Sequence, residues 1–317
     1  MNEHKSLIRF SIIVPVRDDP RLARCLEGLA AQCVEPEAYE VLVIGDGAST
    51  AAQHIAAAHR ARYVAQPAGG AYAARNRGIA EAIGDILVFT DSDCWHPPQW
   101  LASIGSVLER ERCGAVTGPA RALNNDPVGL LVQEIDDARW ARLIAEGAGT
   151  YSDTRNLAGP RSLFLREPFD PSFQHAGDLD WGIRMSAQGS PIRYVEEIAV
   201  RHANVTSLRE VWRRGVRRGR GLARIRDKHG WRARISGSRR LGLLGIDVKE
   251  RLLAMGAHPV ARPIMVAAAG AVTGALAVVV AILLHLPGLR GLARRPFEWL
   301  DRASLLLGIL IGPHHPA

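Results

Sequence analysis

The sequence predicts an α/β fold: a Rossmann-like, mostly parallel sheet flanked by helices, then a basic amphipathic helix and a membrane helix. Three observations predict it. Short apolar, β-prone runs alternate with helical patterns up to about residue 202, the rhythm of βαβ units joined by right-handed crossovers. Positive charge is then concentrated in one block, where Arg201 to Arg240 holds 14 Lys or Arg against two acids, Glu210 and Asp227. Finally, Ile264 to Leu284 is a run without a single charge, long enough at ~1.5 Å per residue to cross a bilayer core of ~30 Å.

The elements follow in order. "IRFSIIVPV" (Ile8 to Val16) is a continuously apolar strand that ends near Asp18 and Asp19. A helix runs from Pro20 to Gln32, with Leu22, Cys25, Leu26 and Leu29 on one face and Pro20 suited to the first turn. "YEVLVIGDGAS" is a strand that turns at Asp46 and Gly47, and a helix covers Thr50 to His59. "ARYVAQP" is a third strand, "GGAYAARNRGIAEAI" a third helix and Ile86 to Phe89 a fourth, fully buried strand. After Pro97 a helix runs to about Arg112, "GAVTGPAR" adds a strand, and Val128 to Leu143 has helical spacing. "RNLAGPRSLFLR" reads as strand, "PFDPSFQHAGDLDWGIRMSAQG" ends in a helix, and "PIRYVEEIAVRH" is a late strand closing on His202. Ser207 and Glu210 stand in capping-box register at the start of a basic helix. Its apolar stripe is Leu208, Val211, Trp212, Gly215, Val216, Gly219, Leu222 and Ala223, with most arginines off the stripe. Leu305 to Ile311 is too short to cross a bilayer and reads as an interfacial or re-entrant piece. The expected organisation is an α/β domain over 1–203, a basic juxtamembrane segment over 204–262, a membrane helix over 263–286 and a tail over 287–317 with the short apolar piece.

The overall charge of +8 hides a polarity, because the basic block alone carries +12 and the rest of the 317 residues sum to −4. A basic segment just before an apolar span suits anionic headgroups better than nucleic acid, and no set of base-stacking aromatics is interleaved with the arginines. Nucleic acid is therefore not an expected partner. Cys25, Cys33, Cys94 and Cys113 form no metal or disulfide spacing and read as packing residues in a reducing compartment. The polar start "MNEHKSLIRF" leaves no room for a signal peptide, so the expected place is the cell membrane with the α/β domain in the cytoplasm.

"GDILVFTDSDC" carries the chemistry. A buried strand drives into Asp91 and Asp93, where like charges repel and desolvation is costly. In open α/β sheets ligands bind beyond the carboxyl ends of the strands, and a divalent cation there would neutralise both acids. An ordinary Asp/Ser surface turn satisfies the same letters.

"SIIVPVRDD", "VLVIGDGAS", "AARNRGIAEAIGDILVFTDSDC" and "GDLDWGIR" occur in an order and spacing that resembles the family 2 inverting glycosyltransferases with the GT-A fold, over about Phe10 to His202. The resemblance implies that Pro15, Asp18 and Asp46 hold the nucleotide base and ribose. Arg75 approaches the diphosphate. Asp91 and Asp93 are the DxD pair, with Asp93 on Mn²⁺ or Mg²⁺, Asp91 on the ribose or a metal water, and His202 as a further metal ligand. Asp178 is the general base and Asp180 orients the acceptor or the base. Trp181 stacks on a ligand or sits in the core. The chain departs from the family at two places, Gly45 and Gly177, where an acid is usual. It also lacks the QxxRW signature of processive members in "REVWRRGVRRGRG", which implies one transfer per encounter. The implied reaction moves one sugar from a nucleoside diphosphate sugar, expected to be a UDP-sugar, to a hydroxyl acceptor that is lipid-linked if the membrane segment serves the chemistry. The competing expectation is a catalytically silent nucleotide-sugar-binding scaffold.

Overall fold

The computed structural model describes residues 9–111, 113–145, 151–229, 261–286 and 289–312. It divides into two compact units, one of residues 1–123 and 148–203, the other of residues 124–147 and 204–317.

The first unit is built on β1 (Phe10–Val16), every residue of which is buried. α1 (Leu22–Ala30) leads to β2 (Tyr39–Asp46), α2 (Thr50–Ala58) to β3 (Arg62–Gln66), and α3 (Ala71–Glu81) to β4 (Ile86–Thr90). β1 lies between β2 and β4, all parallel, with β3 parallel at the edge beyond β2. Ile12, Ile13, Val14, Val43, Val88 and Phe89 are fully buried there, and cutting one such side chain to Ala costs about 2–5 kcal/mol. Ser49 caps α2 by accepting the Ala52 N–H at 3.2 Å, which fixes where β2 stops and the helix begins.

The second half of the sheet departs from strict parallel order. α4 (Trp100–Glu111), β6 (Ala115–Thr117), β8 (Asn156–Pro160) and β9 (Ile192–Tyr194) extend it to the order β3-β2-β1-β4-β8-β6-β9. β8 is antiparallel to both β4 and β6, while β9 is parallel to β6. A second sheet of β5 (Cys94–Trp95), β10 (Val200–His202) and β7 (Ala120–Ala122) stands apart from it.

Three segments differ from the sequence reading. "GAVTGPAR" is two strands in two sheets, because the chain turns at Gly118, where a Cβ would lie 2.8 Å from Asn156 Nδ2 and 2.9 Å from the Val195 carbonyl. "PIRYVEEIAVRH" likewise breaks at a 3-10 turn over Glu196–Ile198 into β9 and β10. "RNLAGPRSLFLR" is strand only to Pro160 and then α6 (Arg161–Arg166), which buries Leu163 and Phe164. Adjacent buried residues fit a short helix as well as a strand, so the letters alone do not separate the two.

The second unit, among the described residues, is helical: α5 (Pro127–Ala145), α8 (Leu208–His229), α9 (Ala261–His285) and α10 (Arg294–Ile311). Asp126 caps α5 by accepting the Gly129 N–H at 2.8 Å, with Pro127 in the first turn. Ser207 and Glu210 form the reciprocal cap of α8, with the Glu210 N–H donating to Ser207 Oγ and the Ser207 hydroxyl to Glu210 Oε2, each at 3.2 Å. Leu305 to Ile311 forms the last turns of α10, which begins well before it. On this helix Phe297, Leu300, Leu307 and Leu310 are buried, and Gly308 meets α8 so closely that a Cβ would lie 2.8 Å from the Val216 carbonyl carbon and 2.9 Å from Gly219 Cα. Trp212, by contrast, is exposed rather than part of the buried stripe.

Charges also hold this unit. Arg214 of α8 donates to Asp136 of α5 at 2.7 Å, and Arg218 lies 3.5 Å from Asp301 of α10. Burial and the like charge of Arg139 push Arg218 down to about 10, with Asp301 acting in the opposite direction. α9 contributes Val280 and Leu284 to the apolar core, while Ile264, Val272, Val278 and Ile282 are exposed. It is a helix long and apolar enough, by length and composition, to cross a membrane. Gly270 and Gly274 face open space, so their GxxxG spacing packs against nothing among the described residues. Arg232 to Arg240, the end of the basic block, lies outside the described residues.

Candidate active site

All nine residues singled out from the sequence lie in the α/β unit. Asp91 to Cys94 is a hydrogen-bonded turn at the carboxyl end of β4, closed by the Cys94 N–H on the Asp91 carbonyl at 3.1 Å. Ser92 between the two acids is turned away from them, its hydroxyl donating to Asp19 Oδ2 at 3.0 Å.

The small sheet explains how His202 reaches this turn. β10 pairs antiparallel with β5, placing His202 opposite Cys94, and the Ala203 N–H donates to the Asp93 carbonyl at 3.1 Å. His202 Nε2 thereby comes to 3.5 Å from Asp93 Oδ2, and Arg21 Nη1 approaches the same oxygen at 3.4 Å. Burial pulls the Asp93 carboxyl up, but the hydrogen bond and charge of His202 and the charge of Arg21 outweigh it and hold the acid below its ordinary range. Among the described residues, no three His, Cys, Asp or Glu side chains converge as a ready-made metal cage. A carboxylate and an imidazole nitrogen nevertheless fit a divalent cation, the imidazole favouring a transition metal such as Mn²⁺ over Mg²⁺.

Asp91 is governed from α3. The guanidinium of Arg75, itself 3 % exposed, sits 2.5 Å from Asp91 Oδ1 and lies over the ring of Tyr72 at 5.2 Å. Burial still raises the Asp91 carboxyl above the usual range against the pull of Arg75, and Asp93 adds to the rise. Arg75 thus gives a hydrogen bond to Asp91, and its buried Nε has no partner among the described residues.

Near the carboxyl ends of the first two strands, Pro15 is buried in β1 beside Ile44 of β2. Asp46 ends β2, and its Oδ1 accepts the N–H groups of Gly69 and Gly70 at 2.7 and 2.9 Å, tying down the turn that starts α3. Gly70 has φ 88°, a left-handed conformation that suits glycine. Asp18 is exposed with φ 47°, an angle Asp tolerates better than most residues, and it is Asp19 that contacts the acidic turn. Gly45 has no room for an acid: a Cβ would lie 2.8 Å from Tyr63 Cζ and from the Gly47 carbonyl oxygen. The Tyr63 hydroxyl accepts the Ser49 N–H at 3.0 Å and so closes the loop before α2.

α7 (Gly177–Ala187) carries the other acids. Its N-cap is Ala176 at φ 64°, so Asp178 is the second helical residue and not the cap. Asp178 Oδ1 accepts from the Leu179 N–H at 2.9 Å and the Tyr72 hydroxyl at 3.2 Å. Burial and the neighbouring charge of Asp153 push its carboxyl up to about 6, a value suited to accepting a proton near neutral pH. Asp180 is fully buried, 3.1 Å from Arg184 one turn on, and Arg184 also grips Glu167 at 2.6 Å. Trp181 is core: it stacks on Phe164 at 4.9 Å, and its indole N–H donates to the Glu167 carbonyl at 2.7 Å.

Sequence reasoning missed Asp153 and Arg155. Their side chains pair at 2.5 Å just ahead of β8, and Arg155 holds the buried Asp153 below the ordinary range against its desolvation. The charge of Asp153 acts on Asp91 and Asp178, so it belongs to the same electrostatic cluster. An acid and a base two apart in "SDTRN" are the only linear sign, and such pairs abound on surfaces.

A sheet of this order, with an acidic turn at the tip of its central strand, is the fold of the GT-A glycosyltransferases. The chain belongs to glycosyl transferase family 2, whose model matches residues 11–171. It is 26% identical over 229 residues to glycosyltransferase AglE of Haloferax volcanii, covering 68% of this chain and 73% of that protein. Its fold is similar to that of the mannosyltransferase PcManGT from Pyrobaculum calidifontis in complex with GDP-Man and Mn²⁺, with TM-score 0.63 and 19% identity over 95% of this chain and 86% of that one. It is also similar to S. aureus TarS 1-349 in complex with UDP, with TM-score 0.51 and 16% identity over 95% and 90% of the two chains.

Proposed function

We propose that this glycosyltransferase moves one sugar from a nucleoside diphosphate sugar to a hydroxyl acceptor with inversion, at the cytoplasmic face of a membrane. The observation that carries the proposal is Asp178: a half-buried carboxyl poised at about 6, within reach of the Arg75 charge and electrostatically linked through Asp153 to the Asp91–Asp93 turn. Asp178 takes the proton of the acceptor hydroxyl as that oxygen attacks the anomeric carbon. The bond from that carbon to the diphosphate breaks on the opposite face, and its electron pair leaves with the nucleoside diphosphate. Asp180, clamped by Arg184, keeps α7 in register and so orients the base.

Asp93 and His202 would hold Mn²⁺ or Mg²⁺, with Asp91 on a metal water or the ribose. Such a cation supplies a Lewis acid that stabilises the charge of the departing diphosphate. Pro15, Asp18 and Asp46 would line the nucleotide. Both a UDP- and a GDP-sugar donor fit, since the solved relatives are bound to UDP and to GDP-Man. The apolar α9 and the arginines of α8 support a membrane location and a lipid-linked acceptor.

The test is hydrolysis of UDP-glucose and GDP-mannose, with and without Mn²⁺. Metal-dependent turnover that disappears in Asp93→Ala and in Asp178→Asn supports the enzyme. Donor binding without turnover identifies a scaffold instead.

A further inference from the structure

Gly177 lacks a side chain because Tyr72 stands over it. A Cβ at that position would lie 2.7 Å from Tyr72 Cε2 and 2.8 Å from Cδ2 and Cζ. Real side chains do not approach so closely, so any residue but glycine would expel the ring. The phenol is held from other sides as well: the Arg75 guanidinium covers the ring at 5.2 Å, and Phe169 packs against it at 5.8 Å. Clamped in this way, the ring aims its hydroxyl at Asp178 Oδ1, 3.2 Å away. The Leu179 N–H uses the same oxygen. Among the described residues, both hydrogen bonds of the carboxylate fall on Oδ1, which leaves Oδ2 to face a substrate proton.

We propose that Tyr72 is a positioning residue for Asp178, and that Gly177 serves to admit its ring. The inference rests on the reading of Asp178 as the base and adds what holds it. A neutral donor on Oδ1 fixes the carboxylate rotamer and stabilises its ionised form without neutralising it. The charged and titratable groups around Asp178 are Tyr72 and Arg75 on α3 and Asp153 ahead of β8, while the Ser152 hydroxyl holds the Asp178 backbone carbonyl at 2.6 Å. Burial and Asp153 push the acid up. The Leu179 N–H, Arg75 and Tyr72 pull it back to about 6. Burial, reinforced by the Asp178 charge, raises the Tyr72 phenol well above its ordinary range, so it stays a donor at every working pH.

The test follows the carboxyl itself. In the full chain carrying ¹³C-labelled aspartate, the Asp178 carboxyl signal is identified by its loss in Asp178→Asn and titrated by NMR. Tyr72→Phe keeps the ring and removes only the donor; its Asp178 midpoint is expected to rise by about one pH unit, a tenfold gain in proton affinity. Gly177→Ala displaces the ring and is expected to move the midpoint the same way, and the double variant no further than the larger single effect. An unmoved midpoint in Tyr72→Phe, at unchanged thermal stability, overturns the inference.

Hydrolysis of UDP-glucose and GDP-mannose is then measured against pH in the same variants. An acid limb that climbs with the NMR midpoint supports the inference. A midpoint that moves while the limb stays in place refutes Asp178 as the base and, with it, any catalytic role for Tyr72. An unmoved midpoint with activity still lost in Asp178→Asn refutes Tyr72 alone.

Discussion

Replacing Arg75 by Met gives the sharpest quantitative test of the acidic turn. Arg75 is 3 % exposed, and its guanidinium sits 2.5 Å from Asp91 Oδ1. Methionine keeps most of the stem's volume, so the change chiefly removes charge. Breaking a buried ion pair by deleting one partner costs about 3–5 kcal/mol, because the other charge is left uncompensated. Asp91 keeps 30% of its side-chain surface, which water can reach, so we expect about 2–3 kcal/mol at pH 7.5. For a unit of this size that corresponds to a fall of roughly 4–12 °C in Tm. The penalty has a definite pH dependence. Asp91 already binds its proton more tightly folded than unfolded, and loss of Arg75 raises its folded pKa further. A carboxyl raised in this way subtracts stability as pH climbs from its unfolded to its folded pKa, and subtracts nothing below the unfolded value. The deficit of Arg75→Met should therefore shrink as pH falls from 7.5 toward 5, and Asp91→Asn in the same chain should recover part of it. Thermal unfolding followed by tryptophan fluorescence across that range reads both effects. A deficit under about 1 kcal/mol, or one that is flat with pH, would refute the electrostatic account.

Other consequences are equally open to measurement. With its pKa at about 6, Asp178 must lose its proton to act, so turnover should rise through that pH and level off above it; Asp178→Asn should lower kcat by about 10²–10⁴-fold, and a surviving acid limb in that variant would assign it to another group. Mn²⁺ alone should raise Tm of the parent chain and leave Asp93→Ala unchanged; equal stabilisation of both would place the cation elsewhere. Gly308→Leu drives a side chain into the backbone of α8 and should cost at least the ~1–3 kcal/mol of ordinary overpacking, whereas an unchanged Tm would mean that the two helices separate freely.

Much of the α/β unit was legible because its signals are local. β1 and the later residues of β2 and β4 are mostly apolar and buried on both faces, and α1 shows a single stripe, so period and length suffice. The late strands were not legible, since whether "PIRYVEEIAVRH" continues or breaks depends on which sheet each half meets. The site divides in the same manner. Asp91 and Asp93 stand out by their place after an apolar run and Asp178 through the family resemblance, but the roles of Tyr63 and Tyr72 rest on contacts with Gly45 and Gly177 across many intervening residues. A missing acid is visible in a sequence; the ring that fills its space is not. The full length of α10 was not legible for a related reason: its first turns are largely charged, and the glycine contacts with α8 are what reveal a packed face.

The excursion of the chain through α5 bears on how the molecule can be divided. The helical unit draws on 124–147 as well as on everything after 203. Asn124 and Asn204, where the chain enters it on each occasion, are joined by the Asn204 N–H on Asn124 Oδ1 at 2.9 Å. A single cut behind β10 would thus strip α5 of its partners and leave Val128, Leu131 and Val132 as a sticky, aggregation-prone ridge on the liberated fragment. Obtaining the transferase half by itself calls for removing the α5 stretch as well as everything behind β10, with a short splice between Leu123 and Tyr151.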